Sequence, residues 1–223
     1  MHLTLLGTGT MAEALGTQWA RAGHELTVLG RDPGKASALA RRLGGPATGS
    51  RPPVAHGPLT EAGPFGDAVL LAVPAASAPG VLAAVGAGAG TLRGRTLIDC
   101  TNDLGPGFTL GTTGSPSTAE RLAAEAPGAQ VVKAFNLCHA DVWRLNPPVF
   151  AGRALSVPLC GDEPEAVARV AALVRDLGCT PVDGGGLARA RLLEATAAFV
   201  IGLWVGAGAD AQAILPPVEF SGG

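Results

Sequence analysis

Hydrophobic positions fall in short apolar runs separated by amphipathic stretches. Residues 2–6, 25–29, 68–73, 95–99 and 130–134 have the near-continuous apolar character of strands buried on both faces. Between them, 11–22, 33–43, 78–85 and 117–125 read as helices. Pro33 stands in the first turn of the second helix, and Ser117 and Thr118 offer a cap to the fourth. Residues 44–58 are rich in Gly, Pro and Ser and read as a loop with a short strand at Val54-Ala55. Pro74 ends the strand over 68–73. This alternation predicts an α/β fold, a parallel sheet with helices on both faces. After Asn136 the texture changes. Residues 138–153 are irregular, then come a strand at 155–159, a helix at 164–177 and a strand at 180–182. One long apolar helix is expected from Leu187 to about Ile214, stopped by Pro216-Pro217.

Composition narrows the function classes. The chain has 223 residues, which suits one large domain or a domain with a small partner. A net charge of −2 with 15% charged residues gives no basic footprint for nucleic acid. Aromatics are 4% and Tyr is absent, so bases would find few stacking platforms. At 47% hydrophobic the chain can build a core. Cys100, Cys138, Cys160 and Cys179 are widely spaced, which signals reduced thiols in a cytoplasmic protein and no metal site. The N-terminus has no basic leader region. Prolines break the uncharged stretch 68–92, and the apolar stretch 195–209 falls short of the roughly 20 residues a bilayer needs. It reads as a buried helix, available for a subunit interface.

The strongest constellation is Gly7-Thr8-Gly9-Thr10-Met11-Ala12, which follows a strand, opens a helix and leads to a second strand. Gly7 permits the tight turn, Gly9 lets a pyrophosphate approach the backbone, and Ala12 lets helix and strand pack closely. The first amides of the helix then face the phosphates. The second strand ends in Gly30-Arg31-Asp32, where an NAD enzyme usually places a ribose-binding carboxylate. Gly30 and Arg31 favour NADP: a guanidinium holds a 2′-phosphate by a charged fork, and Lys35 adds a second positive charge. Asp32 is assigned to capping the helix that Pro33 opens. Val73-Pro74, Asp99-Cys100-Thr101-Asn102 and Lys133-Ala134-Phe135-Asn136 end three further strands and should surround the nicotinamide.

With these motifs in order, the chain resembles the NADP oxidoreductase family that includes NADPH-dependent reductases of the deazaflavin coenzyme F420. The resemblance is carried by the Gly7 to Ala12 turn, Gly30-Arg31, Ala72-Val73-Pro74 and Val131-Val132-Lys133-Ala134-Phe135-Asn136. Later come Cys160-Gly161-Asp162, Asp183-Gly184-Gly185-Gly186-Leu187, Arg191 and Glu194. It implies a Rossmann-type, doubly wound domain over 1–137 and a smaller C-terminal α/β part over 138–223, packed as a homodimer. It also implies that Thr8, Gly9, Thr10 and Met11 contact the pyrophosphate region and that Gly30, Arg31 and Lys35 hold the 2′-phosphate. Val73, Pro74 and Ala134 would line the path to the nicotinamide, with F420 in a cleft between the two parts. Ala75, and Asn136-Leu137-Cys138-His139, depart from the family pattern on the substrate side.

Hydride transfer between nicotinamide and deazaflavin needs distance and orientation, and no nucleophile or metal. If the acceptor were instead a small carbonyl or imine, a proton donor would be needed; His139 is the candidate, with Asn136 orienting the substrate. A non-catalytic NADP-binding sensor is the alternative from another class. Lys133 is expected to be structural or solvated, and Asp99 and Asn102 to organise their own loop. His2, His24 and His56 are expected at the surface or in turns. Arg191 and Glu194, three apart, are expected to pair on one helix face.

Overall fold

The computed structural model describes residues 1–44, 53–61, 63–111 and 116–209. In chain order the elements are β1 (His2–Leu6), α1 (Thr10–Arg21), β2 (Glu25–Gly30), α2 (Pro33–Gly44), β3 (Ala55–Pro58), β4 (Ala68–Leu71), α3 (Ala78–Ala84) and β5 (Thr96–Asp99). Then follow α4 (Thr118–Glu125), β6 (Gln130–Lys133), β7 (Val149–Phe150), β8 (Arg153–Ala154), β9 (Ser156–Gly161), α5 (Pro164–Asp176), β10 (Thr180–Asp183) and α6 (Ala190–Ile201). Ser117 caps α4 in a reciprocal box with Glu120.

Eight strands form one sheet in the order β10-β9-β6-β5-β4-β1-β2-β3. The six from β1 to β6 are parallel and wind outward in both directions from β1 and β4, the doubly wound arrangement. Neighbouring residues of each strand feed opposite faces. Leu5, Leu70, Ile98 and Val132 join a core with α1, α2 and α5, whereas Leu6, Leu71, Leu97 and Val131 join one with α3 and α4. That explains the continuous apolar runs in the sequence. Gly16 lets α1 settle onto the sheet, because a Cβ there would lie 2.9 Å from Leu5 Cδ1.

The C-terminal strands extend this same sheet. β9 pairs antiparallel with β6, and β10 lies parallel to β9. Between β6 and β9 the chain passes through the separate two-stranded β7–β8 ribbon.

Two expectations are corrected. The last helix is shorter and more open than its sequence suggested. A 3₁₀ turn at Leu187–Arg189 leads into α6, which widens to a π turn at Gly202–Gly206. The two glycines that bound this turn are poor helix formers, and the amide of Ala207 reaches back to the carbonyl of Gly202. Residues 210–214 lie outside those described. Nor is this helix buried all round: Ala190, Glu194, Ala197 and Ala198 are buried, but Leu192, Phe199, Trp204 and Val205 are exposed, Val205 at 70%. His24 lies in the α1–β2 turn, as expected, but it is not free there. Its side chain is 10% exposed, with Nε2 2.8 Å from Asp176 Oδ2, tying the α1–β2 turn to the end of α5. Among the described residues no helix is long and apolar enough to cross a membrane.

Gly7 has φ +123°, and a Cβ there would sit 2.3 Å from the Ala72 carbonyl oxygen. Gly23 has φ +88° with nothing within 4 Å of such a Cβ. Gly7→Ala should therefore destabilise the fold by about 2–4 kcal/mol, combining backbone strain and overpacking. Gly23→Ala should lose only the strain, about 1 kcal/mol. Urea unfolding of both variants checks the order.

Candidate functional site

Two hollows open along the carboxyl edge of the parallel strands, the first at the ends of β1 and β4 (the switch point of the sheet), the second beyond the ends of β5 and β6. The first is a cleft of about 200 Å³. Gly7, Thr8 and Gly9 form its floor, Gly30, Arg31 and Lys35 one end, and Val73 and Pro74 the opposite wall. A Cβ at Gly9 would meet nothing within 4 Å, so the backbone there is open to a ligand. Gly9 also begins α1 without a side-chain cap, leaving the helix's first amides for an anion. A Cβ at Gly30 would lie 2.8 Å from Thr8 Cγ2. Its lack of a side chain thus keeps the turn and the β2 end together. Arg31 and Lys35 are exposed at the cleft rim. Asp32 Oδ1 accepts the amides of Gly34 at 2.9 Å and Lys35 at 3.1 Å, so this carboxylate caps α2.

The second hollow, about 410 Å³, begins at Thr10 and Met11. Its walls are Cys100 and Asn102 after β5, the segment from Phe135 to Ala140 after β6, and Ile201, Trp204 and Val205. The lining is predominantly apolar. Asn136 and His139 both face this pocket. Asn136 Nδ2 donates to Asn102 Oδ1 at 3.0 Å and to the Leu193 carbonyl at 3.2 Å. The His139 side chain is 77% exposed, with Nδ1 3.2 Å from Asp141 Oδ2. Ala134 lines neither hollow: its side chain is fully buried, and its amide donates to the Asp99 carbonyl at 3.0 Å. Phe135 holds φ +63° and is wedged edge-on against Trp19 and Trp143, with centroids 5.9 and 5.4 Å away. Such backbone strain persists only where packing over-determines it.

Residues 2–103 match the family described as NADP oxidoreductase, coenzyme F420-dependent. Over nearly the whole chain the fold matches a structure from Arthrobacter sp. FB24, provisionally called an F420-dependent NADP-reductase. Identity is 30%, with 93% of this chain and 95% of that one covered and a TM-score of 0.76. The chain belongs to this family. A reductive aminase from Aspergillus terreus, solved with NADPH and ethyl-5-oxohexanoate, matches at 26% identity and TM-score 0.63, covering 93% of this chain and 62% of that one. Metalloreductase STEAP3 of Rattus norvegicus is 37% identical over 113 residues, 51% of this chain and 22% of that protein. The chain thus spans only about a fifth of that relative's length.

The chain carries one feature that the sequence did not disclose. Of the two expected alternatives Lys133 is structural and not solvated; it is fully buried, with Nζ 2.9 Å from both Asp99 Oδ2 and Glu194 Oε1. It also donates to the Thr101 carbonyl. Burial alone would lower its pKa, but the two carboxylates raise it above the ordinary lysine value. Asp99 organises its own loop as expected, accepting from the Thr101 amide and hydroxyl at 2.8 Å. The expected Arg191–Glu194 pair is corrected: Arg191 points to solvent, while Glu194 is buried on Lys133 and on the amides of Thr118 and Ala119. The available signal was a lysine and a glutamate in otherwise apolar surroundings. The pocket wall from α6 was also missed, because its only trace in the sequence is an apolar helix.

Two thiols face the pocket. Burial, with a lesser push from Asp99, raises Cys100 to about 12; burial and then Cys179 raise Cys138 to about 11. Both are neutral at physiological pH. Above the ordinary thiol pKa of 9 the unfolded chain loses these protons while the folded chain keeps them, so stability falls as pH rises from about 9 toward 11. Urea midpoints at about pH 8 and pH 10.5 should show the drop. Cys100→Ala should remove about 1–2 kcal/mol of it.

Proposed function

We propose that the cleft binds NADP(H), that the pocket beside it takes coenzyme F420, and that hydride passes between nicotinamide and deazaflavin. The observation that carries this reading is the continuous path from Arg31 and Lys35, across Gly7, Thr8 and Gly9, to Thr10 and Met11 at the pocket mouth. Arg31 and Lys35 hold the 2′-phosphate, with Gly30 leaving room beside them. Thr8, Gly9, Thr10 and Met11 hold the pyrophosphate at the start of α1. Val73 and Pro74 flank the ligand toward its nicotinamide end. Ala134 acts from beneath, through its amide on the Asp99 carbonyl. When bound, the nicotinamide supplies or accepts the hydride. The chain contributes distance, orientation and exclusion of water by its apolar walls. Residues 1–137 serve as the dinucleotide unit, and 138–223 complete the substrate pocket and a homodimer interface. Four free thiols suit a reducing cytoplasm.

A second reading is favoured by the pocket itself. Among the described residues its lining includes no Lys or Arg, and His139 stands at the rim. A small carbonyl or imine fits such a lining. His139, protonated, would donate to its oxygen or nitrogen as hydride reaches the carbon. Asn136 would orient it through Oδ1, its amide nitrogen being engaged already.

Anaerobic mixing with oxidised F420 separates the readings. Bleaching with NADPH and little with NADH supports the first; turnover of an imine or ketone panel, lost in His139→Ala, supports the second. In either case Arg31→Ser should weaken NADPH about 10–100-fold and leave NADH nearly unchanged, since one charge-assisted hydrogen bond contributes about 1.5–3 kcal/mol. The exposed stripe of Leu192, Phe199 and Val205 is the surface proposed for the second subunit. Phe199→Glu should shift the mass seen by light scattering from dimer to monomer.

A further inference from the structure

The buried charges lie beneath the pocket and touch each element that walls it. Lys133 ends β6 and leads into the Phe135–Asn136 wall. Its Nζ meets Asp99, at the root of the loop that carries Cys100 and Asn102, and bonds the carbonyl of Thr101 within that loop. The same Nζ meets Glu194 on α6, the helix that goes on to deliver Ile201, Trp204 and Val205. Glu194 reaches further, accepting the amides of Thr118 at 3.0 Å and Ala119 at 3.3 Å at the start of α4. One cation faces two carboxylates here, and the α4 amides offset the surplus negative charge. A second polar tie runs alongside: Asn136 bonds both Asn102 and the Leu193 carbonyl, and the Asn102 amide returns a bond to the Asn136 carbonyl at 2.7 Å.

We propose that Lys133 and Glu194 are positioning residues for the acceptor. By gripping the Asp99–Thr101 loop and α6 at once, they set the separation of two facing pocket walls. The proposal rests on the reading that this pocket receives the hydride acceptor. The dinucleotide cleft lies outside the clamp, because neither Lys133 nor Glu194 contributes to it. Loss of the clamp therefore acts on the acceptor and leaves NADPH in place. A displacement of about 1 Å at such a site is enough to cost on the order of a hundredfold in rate.

Glu194→Gln keeps the shape and an oxygen for the Thr118 amide, and removes the charge that faces Lys133. Lys133→Met keeps the length and removes the cation. Each is compared with the wild type for NADPH affinity, for acceptor KM and kcat, and for hydrogen exchange of peptides within 190–206. The expected result is an acceptor KM raised about tenfold or more, an NADPH Kd within twofold, and faster exchange in 190–206 with α1 unchanged. If Lys133→Met does not fold, Glu194→Gln carries the test alone. A variant that only lowers Tm, with acceptor KM and α6 exchange as in the wild type, overturns the proposal. Failure of the functional reading looks different. Wild type then turns over neither F420 nor the imine and carbonyl panel, and the exchange measurement still decides whether the clamp holds α6.

Discussion

β1 and β4 pair side by side, yet the chain leaves them on opposite faces of the sheet, into α1 on one side and toward α3 on the other. The gap this leaves cannot be filled by either connection, so the first hollow opens from it. Gly7 makes the parting possible. The amide donates to the Leu29 carbonyl, while Ala72 passes so near that no side chain fits. The rest of the cleft is built around that closeness: the open backbone at Gly9, the uncapped start of α1, and the bare β2 end at Gly30, where Thr8 leaves no room for a side chain.

The second hollow depends on a different kind of interaction. Its walls come from three segments far apart in the chain, and apolar packing alone specifies their spacing poorly. A buried ion network costs desolvation and is seldom retained for stability alone. Here each charged group is matched by directional partners: two carboxylates and a carbonyl on Lys133, an amide and a hydroxyl on Asp99, two helix amides on Glu194. Such a network accepts one arrangement and rejects near neighbours, which greasy walls do not.

The cleft was legible in the sequence because all its parts but the wall at Val73 and Pro74 are local. A turn, a strand end and a helix start lie within Gly7 to Lys35, and the periodicity of the flanking elements fixes where they point. The parallel order of β1 to β6 was legible for the same reason, since each strand is followed by its own crossover. The pocket was legible only in part. Asn136 and His139 follow a strand end and could be placed, but Ala134 could not, since which neighbour at a strand end turns inward depends on the strain at Phe135. Glu194 was paired with Arg191 by spacing, yet burial selected Lys133, which spacing cannot foresee. The direction of β9 was equally hidden, because it depends on the route of residues 138–155 and on no pattern within the strand.

This difference in legibility tracks a difference in chemistry. A dinucleotide is recognised by backbone amides, small residues and fixed charges, so its site leaves a compact signature. A hydride acceptor in an apolar pocket is recognised by shape and distance, so its site is written in the spacing of distant walls. His139 at the rim adds a proton donor to that spacing only if the acceptor needs one. On the proposed reading, the walls decide which planar ring or which double bond comes within reach of the hydride. The residues beneath the pocket would then bear on selectivity as much as those that line it.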